Sequence, residues 1–143
     1  MVVVNFRELR SNQQLQTTAF DLTSKLRSVQ NYILSGYKVT GSSAANAYEL
    51  NFSANATSYT IRYAINSVTT TLETVPLPPY MKISQVTLNG TSTGSIAVQL
   101  YSPFGKIMNG ATQNSSYTVV LQHSITGRTK TVYIDGVSGR ISQ

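Results

Sequence analysis

The feature that most constrains this chain is an apolar stripe near its start. Leu15, Ala19, Leu22, Leu26, Val29 and Ile33 follow one another at intervals of three or four residues, the spacing that holds side chains on one face of an α-helix. Between them stand Gln16, Thr18, Asp21, Ser24, Lys25, Arg27, Ser28 and Gln30, so the opposite face is polar. No Pro or Gly interrupts residues 5–35, and Gly36 is a natural C-terminal stop. A helix of that span is about 46 Å long at about 1.5 Å per residue. It needs a second layer to bury its stripe, and a small head cannot cover all of it.

The stripe fades N-terminal to Leu15 into Ser11, Asn12, Gln13 and Gln14, whereas Phe6 and Leu9 prolong an apolar side. Ahead of them Val2, Val3 and Val4 form a short hydrocarbon run. Such a run is far below the about 20 apolar residues that cross a bilayer, and it lacks the basic start and cleavage site of a secretory signal. It reads as the remaining end of a longer apolar segment. Val2, Val3, Val4, Phe6 and Leu9 are therefore candidate contacts to neighbouring subunits.

Beyond Gly36 the period changes from helical to two. Tyr48, Leu50 and Phe52 alternate with Glu49 and Asn51, and Tyr59, Ile61, Tyr63 and Ile65 alternate with Thr60, Arg62 and Ala64, the pattern of a half-buried hairpin. Further strands are predicted over 68–75, 81–88, 95–101, 116–123 and 129–134. Residues 40–47, 76–80, 89–94, 102–115 and 124–128 read as connections. The fold class is α+β in one domain spanning 1–143, with a helix over 1–35 packed on antiparallel sheets formed by a β-rich head over 36–143.

Charge and composition narrow the chemistry. Charged residues make up 11% of the chain, well below the about 25% of ordinary soluble domains. The polarity comes instead from 18 Thr, 18 Ser, 10 Asn and 9 Gln, a balance that suits an exported, strand-rich protein. With no Cys and one His, His123, thiolate metal sites, cysteine nucleophiles and multi-histidine sites are excluded. The five carboxylates, Glu8, Asp21, Glu49, Glu73 and Asp135, are scattered. No Gly-x-Ser-x-Gly elbow or Walker loop occurs, so no catalytic, cofactor-binding or metal-binding residue is assigned and no enzymatic activity or small-molecule substrate is expected. The net charge of +6 is concentrated in the second half. There Lys106, Arg128, Lys130 and Arg140 are the candidate contacts to DNA or another anionic partner.

The C-terminal part of the chain, from Ile96 onward, carries a resemblance. The strand Ile96-Ala97-Val98-Gln99-Leu100-Tyr101 is followed by Ser102-Pro103-Phe104-Gly105-Lys106, the strand Tyr117-Thr118-Val119-Val120-Leu121, then Arg128-Thr129-Lys130-Thr131-Val132-Tyr133-Ile134 and the ending Gly136-Val137-Ser138-Gly139-Arg140-Ile141. This order resembles the GspH/FimT family of minor type IV pilins and type II secretion pseudopilins, whose heads close with a strand, a Pro-x-Gly turn, two strands and a terminal Gly-Arg-hydrophobic sequence. Asn5-Phe6-Arg7 followed by the stripe is similar to the lower half of a pilin helix. The resemblance implies a pilin-like fold and a non-enzymatic subunit acting in assembly, or at the tip, of a type IV pilus or pseudopilus. It implies other pilins or pseudopilins as partners, membrane anchorage through a missing N-terminal segment and an extracytoplasmic place. Two alternatives stand beside it: a DNA-binding minor pilin of a DNA-uptake pilus, and an unrelated extracellular β-sandwich binding module. DNA-binding relatives carry a second basic residue shortly after the Gly-Arg pair, whereas this chain ends Gly139-Arg140-Ile141-Ser142-Gln143.

Overall fold

The computed structural model describes residues 6–36, 38–40, 43–101, 106–109, 112–113, 115–136 and 140–143. The apolar stripe becomes one helix, α1 (Phe6–Ser35), 30 residues long. It stops where Gly36 takes a φ of +66° and its N–H donates to the Ile33 carbonyl, a left-handed turn that costs glycine little.

The strands follow in chain order. β1 (Lys38–Thr40) and β2 (Ser43–Ala44) pair with each other. β3 (Ala47–Ser53), β4 (Ser58–Ile65) and β5 (Val68–Pro76) form an antiparallel meander. β6 (Met81–Leu88), β7 (Thr91–Thr93) and β8 (Ser95–Tyr101) come next, then the short β9 (Lys106–Asn109) and β10 (Thr112–Gln113). β11 (Ser116–His123), β12 (Thr129–Asp135) and β13 (Ile141–Ser142) close the chain. Among the described residues these make, besides β1–β2, a six-stranded antiparallel sheet in the order β10-β9-β8-β3-β4-β5 and a five-stranded one in the order β13-β12-β11-β6-β7.

The fold is thus α+β, one N-terminal helix with two antiparallel sheets. Each strand predicted from period-two alternation is present. The structure also places strands where connections were read: β2 in 40–47, β7 in 89–94, β9 and β10 in 102–115. These pieces have two to four residues, too few to display a period. The Pro103-x-Gly105 turn and Gly139 lie outside the described residues.

Both sheets turn their apolar residues toward the helix. Leu15, Ala19, Leu22, Leu26, Val29 and Ile33 are all buried, and they meet Tyr48, Leu50 and Phe52 of β3, Val98 and Leu100 of β8, Tyr117, Val119 and Leu121 of β11, and Val132 and Ile134 of β12 in one core. The C-terminus joins this core. Ile141 is buried opposite Ile134, and the Arg27 guanidinium donates to its carbonyl at 3.1 Å. At the end of β12, Gly136 passes so close to Ser115 that a Cβ would lie 2.0 Å from the Ser115 carbonyl oxygen, an approach only glycine allows.

Two measurements test this core. Leu26→Ala should lower stability by about 2–5 kcal/mol, the usual cost of emptying a buried leucine site, and an unchanged denaturation midpoint would show the stripe facing elsewhere. The second concerns alkali. Burial pushes the Tyr117 hydroxyl up to about 12, and Tyr59 is raised further by burial and by the nearby Glu73 and Asp21 carboxylates. A raised folded-state value means the neutral phenol is favoured in the fold. Its contribution is complete below the ordinary tyrosine range and is lost as pH rises from about 10 towards 12. The melting temperature should therefore fall above about pH 10, with a shallower slope in Tyr117→Phe.

Candidate interaction surface at the base of the helix

The first two turns of α1 extend past the buried stripe. Phe6 is 77% exposed and Leu9 54% exposed, as expected for side chains that the head does not reach. Val2, Val3 and Val4 lie outside the described residues. The fold brings two further apolar residues to the same end, Tyr80 at 60% and Ile125 at 53% exposure. Phe6, Arg10 and Gln14 face Tyr80, His123 and Ile125 across a groove of about 390 Å³, with Ser11 also lining it.

A polar clip holds the groove together. His123 ends β11 and is 4% exposed. Its Nδ1 accepts from the Thr126 N–H at 3.4 Å, which leaves Nε2 to donate to Gln14 Oε1 at 3.0 Å. With Nδ1 accepting, the donating ring hydrogen sits on Nε2. The role is structural: the imidazole ties the β11–β12 turn to the helix. Nearby, Arg128 at the end of that turn reaches Glu8 of the first helical turn at 3.4 Å. Both partners are about half exposed, so the pair orients the helix base more than it stabilises it.

The four candidate anion contacts are not gathered into one patch. Arg128 is engaged by Glu8. Lys130 lies on the helix side of β12, beside Gln16, Thr17, Phe20 and Gln143, while Tyr133 is exposed on the other face. Arg140 is exposed next to the far end of β12, where its carbonyl accepts from the Asp135 N–H. Seven steps along the strand, roughly 24 Å at about 3.4 Å per residue, separate it from Arg128. Lys106 begins β9 in the other sheet, paired with Tyr101.

Tyr80 and Ile125 were not legible as members of this surface, because only the fold carries their turns beneath the helix. The available signal was Ile125 itself, an apolar residue within a turn whose geometry does not require one. Among the described residues no three His, Asp or Glu side chains are grouped so as to hold a metal, and no helix is long and apolar enough to cross a membrane. Comparison with protein-family models, curated proteins and solved structures finds no match.

The Glu8–Arg128 pair offers a direct test of the electrostatics. Glu8→Gln should leave the melting temperature nearly unchanged, exposed pairs being worth about 0–1 kcal/mol. Releasing Arg128 should move elution from heparin to higher salt. Unchanged elution would mean that Glu8 does not mask Arg128.

Proposed function

We propose that this chain is a non-enzymatic minor pilin or pseudopilin subunit, acting in the assembly or at the tip of a type IV pilus or type II secretion pseudopilus. The observation that carries the reading is the division of α1 into two parts. Its stripe from Leu15 onward is buried by the head, whereas Phe6 and Leu9 stand exposed beside Tyr80 and Ile125. An apolar helix end grouped with apolar loop residues is a surface that favours burial against another helix. In this reading the helix base packs among other pilins, the β-rich head is presented outward, and the subunit belongs to an extracytoplasmic, membrane-anchored or cell-surface filament.

The other readings have less support. A DNA-binding pilin would use Lys106, Arg128, Lys130 and Arg140, but Arg128 is paired and the remaining three are spread over two sheets, which gives salt-sensitive attraction without base readout. A free-standing β-sandwich module has no use for a 30-residue helix with an uncovered end.

The double variant Phe6→Ser, Leu9→Ser tests the proposal. Both side chains are exposed, so the melting temperature should stay within a few degrees of wild type. Pilus formation or secretion by the cells that make the protein should fall to the level of a strain lacking it, and a photoreactive residue at Leu9 should lose its crosslink to other pilin-like subunits. Full output from the variant would overturn the assignment.

A further inference from the structure

Among the described residues, three of the four ends of the two main sheets are short: β10, β7 and β13 have two, three and two residues. Short edge strands are a usual protection against pairing with another chain. The fourth, β5, has nine residues, every one exposed except the half-buried Val75. It contains no Lys or Arg, and its one proline, Pro76, is its last residue.

We propose that β5 is the strand through which two copies of this chain pair, antiparallel about a twofold axis at Thr70. The backbone determines which groups are free. Asn66 and Ser67, with φ of 50° and 68°, make the two-residue turn that closes the β4–β5 hairpin. Ile65 and Val68 are therefore a hydrogen-bonded pair, and alternation turns the N–H and C=O of Val68 and Thr70 toward β4 and those of Thr69 and Thr71 outward. Leu72 is the extra residue of a bulge, since Ile61 pairs with Glu73 and Arg62 with Thr71. Beyond it Thr74 points outward, and Pro76 falls where its missing N–H deprives no intrachain bond.

Residues 68–72 read Val-Thr-Thr-Thr-Leu, an apolar–polar pattern nearly symmetric about Thr70. Pairing through that centre sets Thr69 opposite Thr71 of the second copy, both with outward groups, so the register forms hydrogen bonds at both ends. Val68 falls opposite Leu72 of the second copy on the helix side of the sheet. These side chains are 67% and 41% exposed in one copy, and each covers the other in the pair. No charge lies in the five residues. The nearest, Glu73, is held by Lys25 at 2.8 Å, and the two copies of Glu73 stand six positions apart, roughly 20 Å at about 3.4 Å per residue. An isologous contact of this kind closes on itself and leaves Phe6 and Leu9 uncovered.

Sedimentation equilibrium of the chain tests the pairing. The wild type should reach twice the monomer mass as concentration rises to millimolar. Thr71→Pro removes one outward donor per copy and spares the β4 ladder. It should weaken the dimer by about tenfold or more. Thr70→Cys places two sulfurs across the axis, in a pair of the close, non-hydrogen-bonded kind. As the chain has no other cysteine, mild oxidation should give a disulfide dimer, while Ser92→Cys on β7 should stay monomeric. Should Thr71→Pro fail to fold, the cysteine pair decides. A wild type that stays monomeric throughout, a dimer indifferent to Thr71→Pro, or a Thr70→Cys protein that crosslinks no better than Ser92→Cys would overturn the proposal.

Discussion

Burial of one helical face holds the rest of the structure together. The two sheets touch each other chiefly where β6 passes β3 and β8, with backbone links such as Ile83 N–H to the Ala56 carbonyl at 2.9 Å. The stripe of α1 also bridges them, meeting β3 and β8 on one side and β11, β12 and β13 on the other. Full burial of a large aliphatic side chain contributes about 1.5–3 kcal/mol, and five such helical side chains, with Ala19 between them, share that burial. Loss of the helix would open both inner faces at once, so helix and sheets are coupled in stability. The C-terminal strand depends on the same element through Arg27, whose guanidinium reaches the Ile141 carbonyl.

The same stripe explains why the helix base differs from the rest. Apolar packing ends near Leu15, and N-terminal to it the contacts become polar: Ser11 Oγ donates to the Glu8 carbonyl, Gln14 meets His123, and Glu8 meets Arg128. Directional contacts of this kind fix where the helix lies against the β11–β12 turn while leaving Phe6 and Leu9 outside. A hydrocarbon interface there would have drawn those side chains inward. The polar clip and the exposed apolar tip are two consequences of one boundary in the sequence.

That boundary was readable from spacing alone, as was the change of period at Gly36. Long strands declared themselves because a face buried against the helix forces alternation, and β11 keeps it through eight residues. The short strands did not, since two to four residues paired at or next to a sheet edge are too few to force alternation. For the candidate site, Phe6 and Leu9 were visible as a continuation of an apolar side, whereas Tyr80, Ile125 and the Glu8–Arg128 pair were not. Their proximity is set by the tertiary path, and no local pattern encodes it. The exposure of β5 was hidden for a different reason: threonine-rich strands have β-propensity whichever face is covered, so Val68–Pro76 reads as a strand without revealing that only Val75 is drawn into the core.

The position of β5 follows from where the helix lies. α1 covers β3 and β8 near the middle of the six-stranded sheet, and β5 at its edge is left largely exposed. A groove of about 320 Å³ opens between Val29 and Tyr32 on the helix and Ile61 and Leu72 on the hairpin. One exposed ion pair, Lys25 to Glu73, spans it, and such a pair holds little. Within the hairpin, Tyr59 and Ile61 anchor β4 in the core, whereas β5 keeps its place chiefly through the β4 ladder and the turn at Asn66 and Ser67. Its free edge lies beside the second half of α1, whereas the apolar base lies at the first two turns. A partner at either surface leaves the other open, and the buried stripe of α1 runs between the two.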